Sequence, residues 1–311
     1  MKVGYYQFNP LWGEIEKNRA TILAKLDELA PQALDLIVLP ELCFSGYLFS
    51  KREELLAFSQ SASDRFFYPL QEMSDKKNWV IVCGFIERED FSSSFPSQQT
   101  LFSSEELDPH HHLSLSKFYN SAIVLRPYQK AIIYRKNHLY DREKLFFSPG
   151  DKGFPTFMFK DTCCGVLICF DHMFPEAARS LALQGVQIIC HPSNLVLPGY
   201  AQITSCARAL ENRVYWILAN RYGSENLGNN LDKEDEQKIP LEQMADSSDD
   251  YILNFSGKSR IVSPYGEVLN EASATGEALA IVDIDPSSCN DKSIGTKNDL
   301  FKDRRHYIYD L

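Results

Sequence analysis

Short apolar runs alternate with amphipathic stretches along most of the chain. Residues 36–39 are apolar at every position, which is typical of a strand buried on both faces. Residues 13–30 instead carry apolar side chains at helical spacing, which predicts an amphipathic helix. The same patterns predict strands at 2–8, 79–83, 122–125, 132–134, 166–169, 186–190, 214–219, 260–262 and 278–284, and helices at 64–76, 175–184 and 201–212.

The alternation of strands and helices favours an α/β fold. Residues 121–126 and 131–136 form two strand-like runs separated by Pro-Tyr-Gln-Lys, which predicts an antiparallel hairpin. The sheet is therefore expected to be mixed. No shift of composition and no internal repeat marks a boundary, so we expect one domain over residues 1–311.

Three segments stand outside this pattern and are predicted as two long surface loops and a tail. Residues 91–118 contain eight serines and a run of three histidines at 110–112, and residues 286–311 form the C-terminal tail. Residues 223–250 contain nine acidic residues and two lysines. The acidic loop is either simply solvated or a lid or contact surface, which we expect at the rim of the site. No cysteine or carboxylate pattern accompanies the histidines, so we expect no metal site.

Charge and composition exclude several classes of protein. The chain has 32 Lys+Arg against 42 Asp+Glu and a net charge of −10, so it should repel the phosphate backbone of nucleic acids. No apolar run approaches the roughly 18 residues of a membrane helix. The first ten residues lack the apolar core of a signal peptide, and the eight cysteines are irregularly spaced. We therefore expect reduced thiols and a cytoplasmic protein without nucleic-acid or membrane partners.

Three chemically useful side chains follow predicted strands. Glu41 comes after the run at 36–39, Lys136 after 132–134, and Cys169 ends the run at 166–169. In α/β proteins such strand ends meet at one edge, where active groups lie. A thiolate is a nucleophile, a carboxylate can accept and return a proton, and an ammonium can stabilise an oxyanion. Together the three groups favour nucleophilic attack on a carbonyl group.

Position alone does not single out the nucleophile. A buried cysteine is more often a small core residue than a reactive one, and Cys83 and Cys190 also end apolar runs. Cys190 and His191 offer a rival pairing of thiol and imidazole. Neighbouring side chains on a strand point to opposite faces, which disfavours that pairing without removing it.

Ordered motifs add a further kind of information. They are Leu39-Pro40-Glu41-Leu42 with Gly46-Tyr47, Arg135-Lys136-Asn137-His138-Leu139, Arg142-Glu143-Lys144, Phe147-Ser148-Pro149-Gly150-Asp151, Gly165-Val166-Leu167-Ile168-Cys169-Phe170-Asp171, Phe174-Pro175-Glu176-Ala177-Ala178-Arg179, His191-Pro192-Ser193-Asn194, Arg208-Ala209-Leu210-Glu211-Asn212-Arg213 and Gly257-Lys258-Ser259. In this order they resemble the nitrilase superfamily of carbon–nitrogen hydrolases. Only the two long loops stand outside the resemblance.

The resemblance implies a fold and a set of catalytic roles. The fold would be a four-layer αββα sandwich with mixed central sheets. Cys169 would be the nucleophile, Glu41 the general base and Lys136 the oxyanion stabiliser. Glu143 would position the substrate or the hydrolytic water, the Phe170 N–H would be a second oxyanion donor, and Asn194 would join the substrate-binding group.

The resemblance also implies partners and cofactors. Members of the family commonly pair, and their C-terminal tail often crosses to the partner, so a homodimer or higher homo-oligomer is expected. The apolar residues of the tail favour the same conclusion. A small-molecule amide or carbamoyl compound would be the substrate, and neither a metal nor an organic cofactor is expected.

The residues after the cysteine narrow the substrate class within the resemblance. True nitrilases typically carry Trp-Glu there, whereas this chain has Phe170-Asp171, which favours a small amide or N-carbamoyl amine. An Arg pair typical of N-carbamoyl-D-amino acid hydrolases is replaced by His172-Met173. We therefore expect hydrolysis through a cysteine thioester that releases ammonia or an amine. The alternatives are a nitrilase or ω-amidase acting on a nitrile or a dicarboxylate monoamide, and a non-enzymatic binding module on the same fold.

Overall fold

The computed structural model describes residues 1–89, 116–227 and 251–309. Its helices are α1 (Ile15–Asp27), α2 (Arg52–Phe58), α3 (Tyr68–Lys77), α4 (Glu143–Phe146), α5 (Pro175–Leu183) and α6 (Tyr200–Asn212). Its strands are β1 (Lys2–Gln7), β2 (Leu36–Val38), β3 (Val80–Glu89), β4 (Lys117–Leu125), β5 (Ile132–Arg135), β6 (Thr156–Phe159), β7 (Thr162–Val166), β8 (Ile188–Ser193), β9 (Tyr215–Asn220), β10 (Tyr222–Asn226), β11 (Ile252–Ser256), β12 (Arg260–Val262), β13 (Val268–Glu271) and β14 (Ala278–Asp283).

Two six-stranded sheets form the centre of the described fold. The first has the order β14-β1-β2-β3-β4-β5 and the second the order β13-β12-β9-β8-β7-β6. In each sheet three consecutive strands are parallel, and the outer strands are antiparallel. The predicted hairpin is confirmed, because β4 and β5 pair in antiparallel register. Strands β10 and β11 form a separate two-stranded ribbon.

The strand β2 shows why the layers stack as they do. Leu36 and Val38 belong to the core between the two sheets, whereas Ile37 and Leu39 belong to the core under α1 and α3. A run that is apolar at every position buries both faces of its sheet, as the sequence predicts. On the far side α5 and α6 cover the second sheet. The predicted four-layer αββα sandwich with mixed sheets is therefore confirmed.

The predicted strand at 166–169 ends too late. Strand β7 stops at Val166, and Cys169–Met173 form a single 3₁₀ turn. The cause lies in the turn itself, because the Asp171 carboxylate accepts the backbone N–H of Ile168 at 2.9 Å. That hydrogen bond takes a donor that a continued strand would use in its ladder. Cys169 consequently lies in a turn beyond the strand.

Both predicted loops need new boundaries. The loop at 91–118 includes the first residues of β4, and the loop at 223–250 begins as β10, which pairs with β11. Glu225, counted among the acidic loop residues, is buried in an ion pair with Arg221. The remaining parts of both loops, including the histidine run at 110–112 and the acidic stretch after Leu227, lie outside the described residues.

The C-terminal tail is formed by short 3₁₀ turns at Pro286–Asn290 and His306–Ile308. Phe301 packs against the core, whereas Tyr307, Ile308 and Tyr309 are exposed. The predicted homodimer stays a prediction.

Within the described ranges, none of the helices has the length and apolar character needed to cross a bilayer.

Strand β3 carries a glycine where the loop that holds Glu41 crosses it. The N–H of Gly84 donates to the carbonyl of Pro40 at 3.1 Å, and its carbonyl accepts from Cys43 at 3.0 Å. A Cβ at this position would lie 2.6 Å from the Cα of Glu41 and 2.5 Å from the backbone N of Leu42. Backbone atoms cannot move aside as a flexible side chain can, so this crossing requires glycine.

We expect Gly84→Ala to lower the free energy of unfolding by about 1–3 kcal/mol, because the added methyl overpacks a rigid contact. Urea unfolding measures this change. Gly153→Ala is the matched control, since a Cβ there meets nothing within 4 Å. Equal stability of the two variants would show that the loop carrying Glu41 tolerates displacement.

Candidate active site

Glu41 lies in the turn that follows β2 and is completely buried. Its Oε1 accepts hydrogen bonds from Lys136 Nζ and from Asn120 Nδ2, each at 2.7 Å. Its Oε2 is buried and has no hydrogen-bond partner among the described residues. One oxygen is therefore fixed and the other is free to accept a proton.

Lys136 directly follows β5, and its backbone is fixed on both sides. Its N–H donates to the carbonyl of Asn120, and its carbonyl accepts from Gly150, both at 2.8 Å. The Nζ lies 2.7 Å from Glu41 Oε1 and 2.7 Å from Glu143 Oε1. Burial lowers the pKa of Lys136, but the carboxylates of Glu143 and Glu41 raise it by more. The net pKa lies above its usual range, and the ammonium stays charged.

Glu143 is the first residue of α4. It joins Glu41 and Lys136 in a hydrogen-bonded group of three charged side chains, which we call the array. Its Oε1 accepts from Lys136 and from the hydroxyl of Tyr47, the latter at 2.7 Å, and its Oε2 accepts the N–H of Tyr140 at 3.1 Å. Burial raises the pKa of Glu143, and the charge of Glu41 adds to the rise. Lys136 and the Tyr47 hydroxyl act in the opposite direction. Two buried carboxylates thus share one ammonium.

Cys169 is the first residue of the turn after β7, and its φ of 41° lies in the left-handed region. Residues other than glycine rarely occupy this region, and such outliers cluster at functional sites. Burial raises the pKa of the thiol well above its usual range. Glu41 and Glu143 raise it further, while Lys136 and a hydrogen bond from the Asn194 backbone lower it. The resting sulfur is therefore a neutral thiol within the field of the array.

The turn that carries Cys169 is held by a buried carboxylate two residues further on. Asp171 accepts the Tyr134 hydroxyl at 2.6 Å, the Ile168 N–H at 2.9 Å and two hydrogen bonds from His138, through the backbone N–H at 3.2 Å and Nδ1 at 2.6 Å. Tyr134 comes from β5 of the other sheet, so Asp171 ties the Cys169 turn to the strand that directly precedes Lys136.

The alternative pairing of Cys190 with His191 is wrong. The indole N–H of Trp216 donates to His191 Nδ1 at 3.0 Å, and an indole can only donate. His191 Nε2 therefore carries the proton and donates to the carbonyl of Cys169 at 2.9 Å. Burial lowers the pKa of His191 and raises that of Cys190, which lies in the core. His191 is a neutral brace for the Cys169 turn.

An open pocket of about 310 Å³ leads to Cys169. Its lining is mostly apolar and contains Tyr140, Phe170, His172, Met173, Asn194, Leu195, Val196 and Leu197. The side-chain amide of Asn194 is buried, and neither its nitrogen nor its oxygen has a partner among the described residues. A buried amide without partners is costly, so this group is suited to bind a polar ligand.

The predicted site residues thus fall into two groups that meet at Tyr140. Glu41, Lys136 and Glu143 are joined by hydrogen bonds, and Cys169, Phe170 and Asn194 line one pocket. Tyr140 belongs to that pocket and donates its backbone N–H to Glu143. Within the described ranges no group of three or more His, Cys, Asp or Glu residues is placed to hold a metal ion.

Sequence reasoning gave no role to four residues that support the site. They are Tyr47, Asn120, His138 and Asp171. Three of them lie inside the motifs that carried the resemblance, so the signal was present without a role attached. Asn120 is a polar residue inside an otherwise apolar strand, which is the pattern expected of a buried hydrogen-bonding group.

Comparison with known proteins shows the family. The family model described as carbon-nitrogen hydrolase matches residues 2–292. A protein from Pyrococcus abyssi named nitrilase is 36% identical over 310 residues, which cover 99% of both chains. An N-carbamoylputrescine amidase from Arabidopsis thaliana is 32% identical over 57% of each chain. The chain therefore belongs to the carbon–nitrogen hydrolase family, within the nitrilase superfamily, and is a hydrolase of the amidase type.

Solved structures show the same fold. The amidase from Nesterenkonia sp. superposes with a TM-score of 0.69 at 21% identity, over 99% of this chain and 94% of that chain. The mixed sheets and the sandwich described above match this architecture.

The buried histidine in the Cys169 pocket generates a prediction about pH and stability. His172 Nδ1 is hydrogen-bonded to Thr204 at 2.7 Å, and burial lowers the pKa of His172 from 6.5 to about 4. Below about pH 6.5 the unfolded chain binds this proton more tightly than the native protein does. The free energy of unfolding should therefore fall by about 2 kcal/mol between neutral pH and about pH 5 through this group alone.

Urea unfolding of the wild type and of His172→Gln at both pH values isolates that contribution. The variant should lose less stability on acidification, whereas His306→Gln, at an exposed position of the tail, should behave as the wild type does. An identical pH dependence in all three proteins would contradict a neutral His172.

Proposed function

We propose that the protein hydrolyses a small amide or N-carbamoyl amine through a thioester on Cys169. The observation that carries this proposal is the ammonium of Lys136, fully buried between the carboxylates of Glu41 and Glu143 at the pocket of a cysteine in a left-handed turn. Strongly perturbed titrating groups around one cavity are typical of active sites. The relative from Arabidopsis thaliana supports the same reaction class, because it is named N-carbamoylputrescine amidase.

The attacking step follows from the free oxygen of Glu41. Because the thiol is neutral at rest, it needs a base, and Glu41 Oε2 is the buried carboxylate oxygen without a partner. Glu41 takes the proton from Cys169 as the sulfur forms a bond with the carbonyl carbon of the substrate. The π electrons of the carbonyl move onto its oxygen, which becomes an oxyanion.

Oxyanion stabilisation falls to the cation and to a backbone donor. Lys136 is held charged by its two carboxylates, and the Phe170 N–H follows Cys169 in the same turn. Such preorganised donors are most effective where water is excluded. As the oxyanion collapses, the carbon–nitrogen bond breaks, and Glu41 returns its proton to the leaving ammonia or amine.

Thioester hydrolysis uses the same groups in reverse. Glu41 deprotonates a water molecule that attacks the thioester carbonyl, and the proton then returns to the departing sulfur. Glu143 positions the substrate or this water, since its carboxylate borders the array and contacts the loop of Tyr140. Asn194 binds the polar end of the substrate with its unpartnered amide.

The lining of the pocket favours substrates without a carboxylate. Among the residues described at the Cys169 pocket there is no Lys or Arg, and His172, with a pKa of about 4, is neutral near pH 7. A carboxylate here would gain no cation from the lining of the pocket, and Lys136 is already paired with Glu41 and Glu143. Neutral amides and amine-bearing carbamoyl compounds are therefore the favoured class, ahead of dicarboxylate monoamides.

Nitrile hydrolysis is the second candidate. The relative from Pyrococcus abyssi that matches along nearly its whole length is named nitrilase. The same nucleophile and base would add to a nitrile carbon, and the mostly apolar lining of the Cys169 pocket suits the alkyl part of an aliphatic nitrile.

A screen for ammonia release discriminates among these substrate classes. Neutral aliphatic amides and N-carbamoyl amines should give the highest kcat/KM, with dicarboxylate monoamides lower by about tenfold or more, which corresponds to one uncompensated polar contact. Aliphatic nitriles form the third arm. Preferred turnover of nitriles would replace the proposed substrate class, and an absence of turnover in all arms would remove the proposed function.

Substitution of the nucleophile tests the thioester. Cys169→Ala should lower kcat by several orders of magnitude, because removal of a covalent nucleophile leaves only binding and electrostatics. The Nesterenkonia amidase supports this choice, since one of its structures is described as carrying acrylamide added to the active site cysteine. Cys190→Ala is the matched control at an equally buried thiol, and it should retain most activity. Residual activity of Cys169→Ala above about one per cent would reject the assignment.

A further inference from the structure

A second buried ion pair lies outside the array. Arg221 and Glu225 are both buried, and the guanidinium Nη1 donates to Glu225 Oε1. The Nη2 group of Arg221 donates to Asn9 and to the carbonyl of Pro10, in the loop that follows β1. Burial of two charges is costly, so such a pair indicates a geometric constraint that an apolar core would not supply.

The carboxylate of Glu225 also binds the backbone of the loop that follows β2. Its Oε2 accepts the N–H of Tyr47 at 3.0 Å and the N–H of Leu48 at 2.7 Å. We call this pair of hydrogen bonds, together with the ion pair to Arg221, the clamp. Gly46, with a φ of 84°, gives the carboxylate room, because a Cβ there would lie 2.8 Å from Glu225 Oε1. The loop is thereby fixed in position immediately before and after the Cα of Tyr47.

The ring of Tyr47 is held from the same ribbon. Phe255 of β11 packs edge-on against it with ring centroids 6.0 Å apart, and Arg221 lies over Phe255 at 4.0 Å. Tyr47 then donates its hydroxyl to Glu143 Oε1 at 2.7 Å. An unbroken series of contacts therefore runs from the β10–β11 ribbon through Tyr47 to the carboxylate next to Lys136.

We propose that Glu225, held in place by Arg221, is a positioning residue that fixes the carboxylate of Glu143 through Tyr47. Glu143 Oε1 is shared between Lys136 and Tyr47, so a displacement of Tyr47 changes both the place of this carboxylate and its hold on the ammonium. The inference rests on the proposed function, because it assigns Glu225 a part in the same site.

Glu225 lies close to the last described residues of the β10–β11 ribbon. Glu225 lies in β10, two residues before Leu227, and Leu227 donates its N–H to the carbonyl of Tyr251 at 3.0 Å. The ribbon that holds Tyr47 thus extends to the Leu227–Tyr251 hydrogen bond. Tyr251 itself borders Asp141, to which it donates its hydroxyl at 3.3 Å.

A double-mutant cycle tests the inference. The variants are Glu225→Gln, Tyr47→Phe and the combination of both. In Glu225→Gln an amide NH₂ must face either Arg221 or a backbone N–H, so one side of the clamp is lost. We expect kcat to fall by about tenfold to a hundredfold with little change in KM, as for a misplaced catalytic group. In the Tyr47→Phe background, Glu225→Gln should lower kcat by less than about twofold, because the hydrogen bond from Tyr47 to Glu143 is already absent.

A pH profile separates positioning from a general loss of stability. Glu143 faces the charged or titratable groups Lys136, Glu41, Tyr47 and Cys169, and the Tyr47 hydroxyl lowers the pKa of its carboxyl. Loss of that hydrogen bond should move the acidic limb of kcat/KM to higher pH in Glu225→Gln and in Tyr47→Phe alike. Glu271→Gln is the control, since it breaks the Arg260–Glu271 ion pair between β12 and β13 and should change neither kcat nor the profile.

Two further measurements keep the outcome decisive. If Glu225→Gln does not fold, the pair Arg221→Met with Glu225→Gln removes both charges together and leaves no buried ion alone. A crystal structure of the folded variant should show the Tyr47 hydroxyl displaced from Glu143, whether or not a substrate is known. Strictly additive losses in the cycle, or an intact Tyr47–Glu143 hydrogen bond in the variant, would overturn the inference. An inactive wild type would reject the proposed function, and the crystal structure would still decide the inference.

Discussion

The ammonium of Lys136 between two buried carboxylates is the interaction on which the site depends. Two unlike charges removed from water gain from each other only when their geometry is fixed and their remaining hydrogen bonds are made. Here Glu41 is completed by Asn120, and Glu143 by Tyr47 and Tyr140. Asn120 comes from β4, and the two tyrosines come from the loops that follow β2 and β5. The sandwich therefore serves as a frame that holds three charges at contact distance.

Cys169 differs from Cys190 in the turn that it begins, and not in the strand β7 that precedes this turn. Cys190 lies inside strand β8, where burial alone acts on its thiol. Cys169 has a left-handed backbone conformation, and Asp171 and His191 hold its turn through buried hydrogen bonds. Both braces are buried hydrogen bonds, and neither has an exposed partner that could be exchanged for water. The Cys169 thiol is thus distinguished by the support of its backbone.

Much of the fold and the array was predictable from the sequence for simple reasons. The run at 36–39 is apolar at every position, which predicts a strand buried on both faces. Glu41, Lys136 and Cys169 all follow strands, and the ends of these strands lie close together. The function of Asp171 was not predictable from local pattern, because it depends on Tyr134 and His138, which the other sheet supplies. The ribbon at β10 and β11 was missed because β10 is polar and neither strand shows a clear alternation. Helix α4, with four residues, is too short for any helical period to show.

The neutral resting state of the Cys169 thiol has a consequence for the life of the enzyme. Peroxides and stray electrophiles react with thiolates, and a protonated buried thiol gives them little to attack. A hydrolase that used a standing thiolate would be consumed steadily by oxidants in its surroundings. In the proposed reaction, proton transfer to Glu41 accompanies the attack on a bound carbonyl, so the sulfur would be an anion only briefly. On the proposed mechanism, the buried carboxylates that oppose ionisation of the sulfur would also slow its oxidation between turnovers.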